Sequence, residues 1–179
     1  MAIQESTEKP FTKVASNLLK YLTNRKKQEM IRLSDYVSQD LVVFLPQQNR
    51  DEALQTLVKK LQEKGKVQNK DSFYQAILER EKIVSTGIGM GVAIPHAKLA
   101  NLNEFFLVIG IQKEQGIEWD TIDYNPVKLI FMIGGPDNEQ TKYIQILSSL
   151  TYLVKKEEFR SKLLQAKSTE EVVNLFSNH

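Results

Sequence analysis

Cysteine is missing altogether from this chain of 179 residues, and histidine occurs only twice, at His96 and His179. Without a thiol there can be no disulfide, thiolate zinc site, iron–sulfur cluster or cysteine nucleophile. A metal on His96 would need companion ligands, and the surrounding "STGIGMGVAIPHA" (85–97) contains no carboxylate, so no metal is expected. No apolar run approaches the roughly 18 residues that cross a bilayer, and "MAIQESTEKPFTK" lacks the apolar core of a secretory signal. The expectation is a cytoplasmic protein without membrane insertion. A net charge of only +2 gives no argument for nucleic acid as a partner.

What charge there is lies unevenly. Residues 1 to 32 hold seven Lys/Arg and three Glu, a balance of +4, so the remainder of a chain with net +2 carries −2. A solvated helix face accounts for such an arm most simply; contact with an acidic or phosphate-bearing partner is the sharper alternative. The division expected is a basic helical extension over 1–32 and a folded body over 33–178. With 41% hydrophobic and 26% charged residues, the composition is that of a water-soluble globular domain.

Apolar spacing supplies the elements. Phe11, Val14, Leu18, Leu19 and Leu22 predict an amphipathic helix over 11 to 30. "LVVFLP" (41–46) reads as a strand closed by proline. A helix follows, capped by Asn49 with Glu52 three residues on and closed by Gly65. A second helix is predicted over 71 to 81, burying Phe73, Ile77 and Leu78. "FFLVIGIQ" (105–112) and "VKLIFMIG" (127–134) are continuous apolar runs, which suits strands covered on both faces. Helices are expected over 138 to 155, with Ile144, Leu147, Leu150, Thr151 and Val154 inward, over 157 to 166, and from the capping box of Ser168 and Glu171 onward. The fold class is α/β: a central mixed sheet, helices on both faces, and an extra N-terminal helix.

Gly87, Gly89 and Gly91 stand at alternate positions before Pro95-His96. They do not spell the dinucleotide fingerprint, and an extended run with proline follows where that motif needs a helix. There is no Gly-Lys-Ser/Thr of a P-loop, so nucleotide binding is not supported and no cofactor is expected. The plainest reading is a glycine-rich turn feeding a strand. Its neighbours suggest more. Glycine lets backbone amides approach a bulky anion; Arg80 offers a permanently charged planar fork; Ser85 and Thr86 open the turn. A mostly neutral imidazole leaves one ring nitrogen free as nucleophile. Together these describe a site that accepts a phosphoryl group on His96, with Ser85, Thr86, Gly87, Gly89 and Gly91 as its phosphate cradle.

"REKIVSTGIGMGVAIPH" closely resembles the active-site signature of the phosphotransferase-system enzyme IIA proteins of the fructose–mannitol type. "STGIG" followed by "AIPHAKL" is most like their nitrogen-regulatory branch. "GIEWDTIDYNPVKLIFMIGGPD" and "FRSKLLQAKSTEEVVNLF" are similar to the family's later segments, so the resemblance covers roughly 33 to 177. It implies a phosphocarrier, phosphorylated on Nε2 of His96 by the small histidine-containing phosphocarrier protein, with Arg80 beside the phosphate. That would make the chain a transferase component with a phosphohistidine intermediate. Many members carry a second histidine near the start of the helix after the last long strand; in "QTKYIQIL" Tyr143 stands in its position. Three functions fit the resemblance: a nitrogen-type regulator acting on protein targets, a subunit of sugar uptake that passes phosphate to a IIB component, and a non-transferring binding module of the same fold. The missing cysteine and membrane span favour the first.

Overall fold

The computed structural model describes residues 31–177, so the helix expected over 11 to 30 lies outside the described residues. After two 3-10 turns at Leu33–Tyr36 and Gln39–Leu41 come β1 (Val42–Phe44), α1 (Arg50–Glu63) and α2 (Lys70–Ile83). Three short strands follow: β2 (Gly87–Gly89), β3 (Val92–Ala93) and β4 (His96–Lys98). The long strands are β5 (Phe106–Ile111) and β6 (Leu129–Gly135), and the chain continues with α3 (Gln140–Val154), α4 (Glu157–Gln165) and α5 (Thr169–Ser177). No helix among the described residues is long and apolar enough to cross a membrane.

The strands form one mixed sheet in the order β1-β5-β6-β3-β2, with β4 also pairing β6 beyond the end of β3. β5 and β6 run antiparallel and are buried throughout. Their alternate side chains feed two separate cores, because successive residues of a strand face opposite sides of the sheet. Leu107, Ile109, Ile111, Phe131 and Ile133 pack with Ile146, Leu150, Leu163 and Phe176 of the three C-terminal helices. Val108, Ile130 and Met132 pack with Leu54, Leu57, Leu61, Phe73 and Ile77 of α1 and α2. A mixed sheet between two helical layers is therefore what the apolar runs specified.

The caps behave as their residue types require. The Asn49 side chain accepts from the N–H groups of Asp51 and Glu52, and Asn69 does the same for Asp71 and Ser72 at α2. At α5, Ser168 accepts from the Glu171 N–H, and the Glu171 carboxylate reaches back to the N–H of Lys167. Gly65, at φ +67°, ends α1 in the left-handed conformation.

One expectation needs correction. On α3 the buried apolar stripe is Tyr143, Ile146, Leu150, Leu153 and Val154, whereas Ile144 is 40% exposed and Leu147 only partly buried. The sequence "YIQILSSLTYLV" supports two helical faces about one position apart, and tertiary packing selected the one that brings Tyr143 to the sheet. The expected turn before His96 also has more structure than anticipated: β2 and β3 form a hairpin whose two turn residues, Met90 and Gly91, both have positive φ (59° and 70°). That is the sign pattern of the type I′ turn, which matches the twist of paired strands.

Gly134 sits directly across from Phe106 in the β5–β6 ladder, and a Cβ there would lie 2.1 Å from the Phe106 ring. Gly134→Ala is expected to lower stability by about 1–3 kcal/mol, the range for overpacking a filled core. Urea unfolding checks it: the midpoint should fall with little change in slope.

Candidate functional site

His96 opens β4 against the C-terminal half of β6, paired with Ile133. Arg80, in the last turn of α2, meets it: the Arg80 Nε–H donates to His96 Nε2 at 2.8 Å. A second arm of the guanidinium donates to the carbonyl of Val84, the residue that follows α2, at 3.0 Å, which ties the fork to the helix end. On the other side of the ring, His96 Nδ1 lies 2.9 Å from the Ile94 carbonyl. The chemistry of the partners assigns the tautomer. A guanidinium can only donate and a carbonyl can only accept, so Nδ1 carries the proton and Nε2 keeps its lone pair.

The charge state follows from the surroundings. Burial is the chief cause that holds the His96 pKa below its ordinary value, and the positive charges of Arg80 and Lys98 act in the same direction. The Ile94 carbonyl and the Glu81 carboxylate oppose them. At neutral pH the imidazole is therefore uncharged, with its nucleophilic nitrogen presented to a permanent cation. Tyr143 flanks the ring, centroid to centroid 5.5 Å at a 45° tilt. Burial raises its phenol pKa, against the opposing charge of Arg80, so it stays a neutral hydroxyl.

The glycine stretch packs against another part of the same chain. Glu81, buried at 8% exposure, follows Arg80 and turns inward. Its carboxylate accepts from the Thr86 N–H (3.0 Å), the Thr86 hydroxyl (2.6 Å) and the Trp119 indole N–H (2.8 Å). Ser85 Oγ lies within reach of both Glu81 and the Asp120 carbonyl, and accepts from the Gly87 N–H. The donors of Ser85, Thr86 and Gly87 are thus engaged within the protein, which does not fit a direct phosphate cradle. A Cβ on Gly87 would lie 2.8 Å from Thr121 and 2.9 Å from the Asp120 carbonyl; one on Gly89 would lie 3.0 Å from Asp123. The Gly91 carbonyl accepts from the N–H groups of Lys128 and Leu129. What comes close enough to require bare backbone is the chain's own 119–128 segment.

Asp123 clips that segment to the hairpin. It accepts from the Met90 N–H at 2.7 Å and from both N–H groups of Asn125. These bonds favour the carboxylate and lower its pKa to about 2. Glu81, Asp123 and Lys98 were not singled out in the sequence. Only Lys98 had a signal there, since a residue two places along an extended segment from His96 shares its face.

The fold is that of enzyme IIA domains. The nitrogen regulatory protein IIA-Ntr from Neisseria meningitidis superposes with a TM-score of 0.74 at 24% identity, covering 80% of this chain and 98% of that one. Enzyme IIAMTL from Escherichia coli, solved in complex with phosphorylated enzyme IIBMTL, gives 0.67 at 22%, covering 80% and 98%. The chain belongs to the family described as phosphoenolpyruvate-dependent sugar phosphotransferase system, EIIA 2, which matches residues 35–179. It is 33% identical to a fructose-specific EIIABC component of Bacillus subtilis over 73% of this chain, spanning only 20% of that protein. It is equally similar to a fructose-specific EIIA component of Haloferax volcanii, 33% over 74% of this chain and 85% of the other. A nitrogen regulatory protein of Bradyrhizobium diazoefficiens is 26% identical over 81% of this chain and 94% of its own length.

A depressed carboxyl pKa gives a contribution that is full above the ordinary value of 3.8 and is lost as pH falls towards about 2. Asp123→Ala should therefore speed hydrogen exchange of the Met90 amide about tenfold or more at neutral pH, with global stability nearly unchanged. Amide exchange followed by NMR reads both.

Proposed function

We propose that this chain is a phosphocarrier of the phosphoenolpyruvate-dependent system, with His96 as the phosphoryl acceptor and the histidine-containing phosphocarrier protein as donor. The observation that carries the reading is the Arg80–His96 contact together with the Ile94 carbonyl on the opposite nitrogen. The Nε2 lone pair attacks phosphorus in line as the bond from phosphorus to the donor's ring nitrogen breaks. His96 then holds the phosphoryl group as a protonated N-phosphoimidazole, and the donor leaves as neutral imidazole. No proton has to move between the partners. Positioning and charge stabilisation carry such a transfer. Arg80 gives up Nε2 and turns its N–H groups to the phosphoryl oxygens, a charge-assisted bond stronger than the one it leaves.

Apolar side chains beside the site supply area for a partner. Ile83 and Val84 are 78% and 60% exposed next to Arg80, and Ile122 and Tyr124 are 80% and 92% exposed on the segment held by Glu81 and Asp123. The favoured role is regulation of protein targets by phosphorylation state, supported by the close superposition on a nitrogen regulatory protein. Onward transfer to a IIB component is the second reading, supported by the 33% identity to fructose-specific proteins and by the IIA–IIB complex of a structural relative.

Incubation with phosphoenolpyruvate, enzyme I and the phosphocarrier protein should add one acid-labile phosphoryl group to the wild type and none to His96→Ala, by intact-mass measurement. Arg80→Gln should slow transfer about 100-fold, the scale for removing one charge-stabilising donor. Because protonation blocks Nε2, the rate should fall only on the acid side, with a midpoint below 6.5. A wild type that stays unphosphorylated would overturn the proposal.

A further inference from the structure

The site contains a second cation that the acceptor chemistry above leaves unused. Lys98 lies two residues beyond His96 on β4, and both are half-buried around the buried Ala97, so they share one face of the strand. Its ammonium donates to Gln140, the first residue of α3, and stands 5.1 Å from the centroid of the Tyr143 ring. His96 contacts the same Tyr143 ring, centroid to centroid 5.5 Å. Arg80 approaches Nε2 from α2, while Lys98 is held on the α3 side. The Tyr143 hydroxyl has no hydrogen-bond partner among the described residues, so its ring rather than its hydroxyl makes the contacts seen.

We propose that Lys98 is a second phosphoryl-binding cation for His96, held ready by the Tyr143 ring and Gln140, and that this pair takes over the place the resemblance gives to a second histidine. The proposal rests on the phosphoryl-acceptor reading. A cation–π contact is worth less than a bond between an ammonium and a phosphoryl dianion. When phosphate arrives, Lys98 leaves the ring for an oxygen that Arg80 does not occupy. Tyr143 and Gln140 are positioning residues: they set where the ammonium waits. Around the imidazole, the charged and titratable groups are Arg80 and Glu81 from α2, Lys98 from its own strand and Tyr143 from α3.

The phosphoryl group on His96 is followed by phosphorus NMR between pH 5 and 9, and its transfer rate from the phosphocarrier protein is measured in parallel. In Lys98→Met the phosphoryl ionisation should move up by about one pH unit and transfer should slow about tenfold, with Lys98→Arg restoring both. Tyr143→Leu, which removes the ring, should shift part of the way towards Lys98→Met, and Tyr143→Phe, which keeps it, should shift less than Tyr143→Leu. The His96 titration of unphosphorylated Lys98→Met should rise relative to wild type, which shows that the variant is folded and that the cation is felt. A Lys98→Met protein with unchanged phosphoryl ionisation and transfer rate overturns the proposal and leaves the acceptor reading intact. Loss in Tyr143→Phe equal to that in Lys98→Met also overturns it, since the hydroxyl would then be the group at work. Absence of phosphate on the wild type sinks both readings together.

Discussion

A guanidinium donates hydrogen bonds and never accepts them, and much of the site is organised by that one-way chemistry at Arg80. With its Nε–H directed at His96 Nε2, the ring has a single tautomer consistent with the Ile94 carbonyl on the far side. The tautomer in turn decides which nitrogen is nucleophilic. Burial and the adjacent positive charge keep the ring neutral, so the lone pair is available without a neighbouring base. Each step depends on α2 ending where it does, because a guanidinium one turn further back would not reach β4.

The large-scale fold was legible because β5 and β6 are uninterrupted apolar runs and α1 and α5 carry clear caps. Asn49, Gly65 and the Ser168–Glu171 pair all act at the ends they marked. His96 and Arg80 were readable as a pair through their chemical types and through the family resemblance. Which face of α3 is buried was not readable, since "YIQILSSLTYLV" offers apolar residues at two neighbouring helical phases. What the glycines pack against was not readable for a related reason. Spacing announces close approach, but it does not reveal whether a ligand or another stretch of the same chain approaches. That the 119–128 segment fills the space follows from pairing of Gly87 with Thr121 and of Ile117 with Val127, contacts between residues far apart in sequence.

Glu81 had no signal at all. A glutamate on the last turn of a polar helix reads as a solvated charge, and nothing in the local pattern separates it from Glu79, whose carboxylate pairs with Lys82 at the surface. Only the tertiary structure shows that it gathers N–H and O–H groups from both the turn after α2 and the segment around Trp119. Buried carboxylates persist where several donors converge on them, and here those donors come from the two stretches that flank His96 in sequence.

Arg80 and Glu81 are consecutive, yet one faces the imidazole and the other is sealed into the interior. The neighbouring carboxylate is tied to Thr86 and Trp119, so rotation about the side-chain bonds of Arg80 is the shortest route by which its guanidinium can change what it holds. Loaded and unloaded forms would then share one backbone and differ in the electric field at a single spot. A partner that told such forms apart would then read charge more than shape.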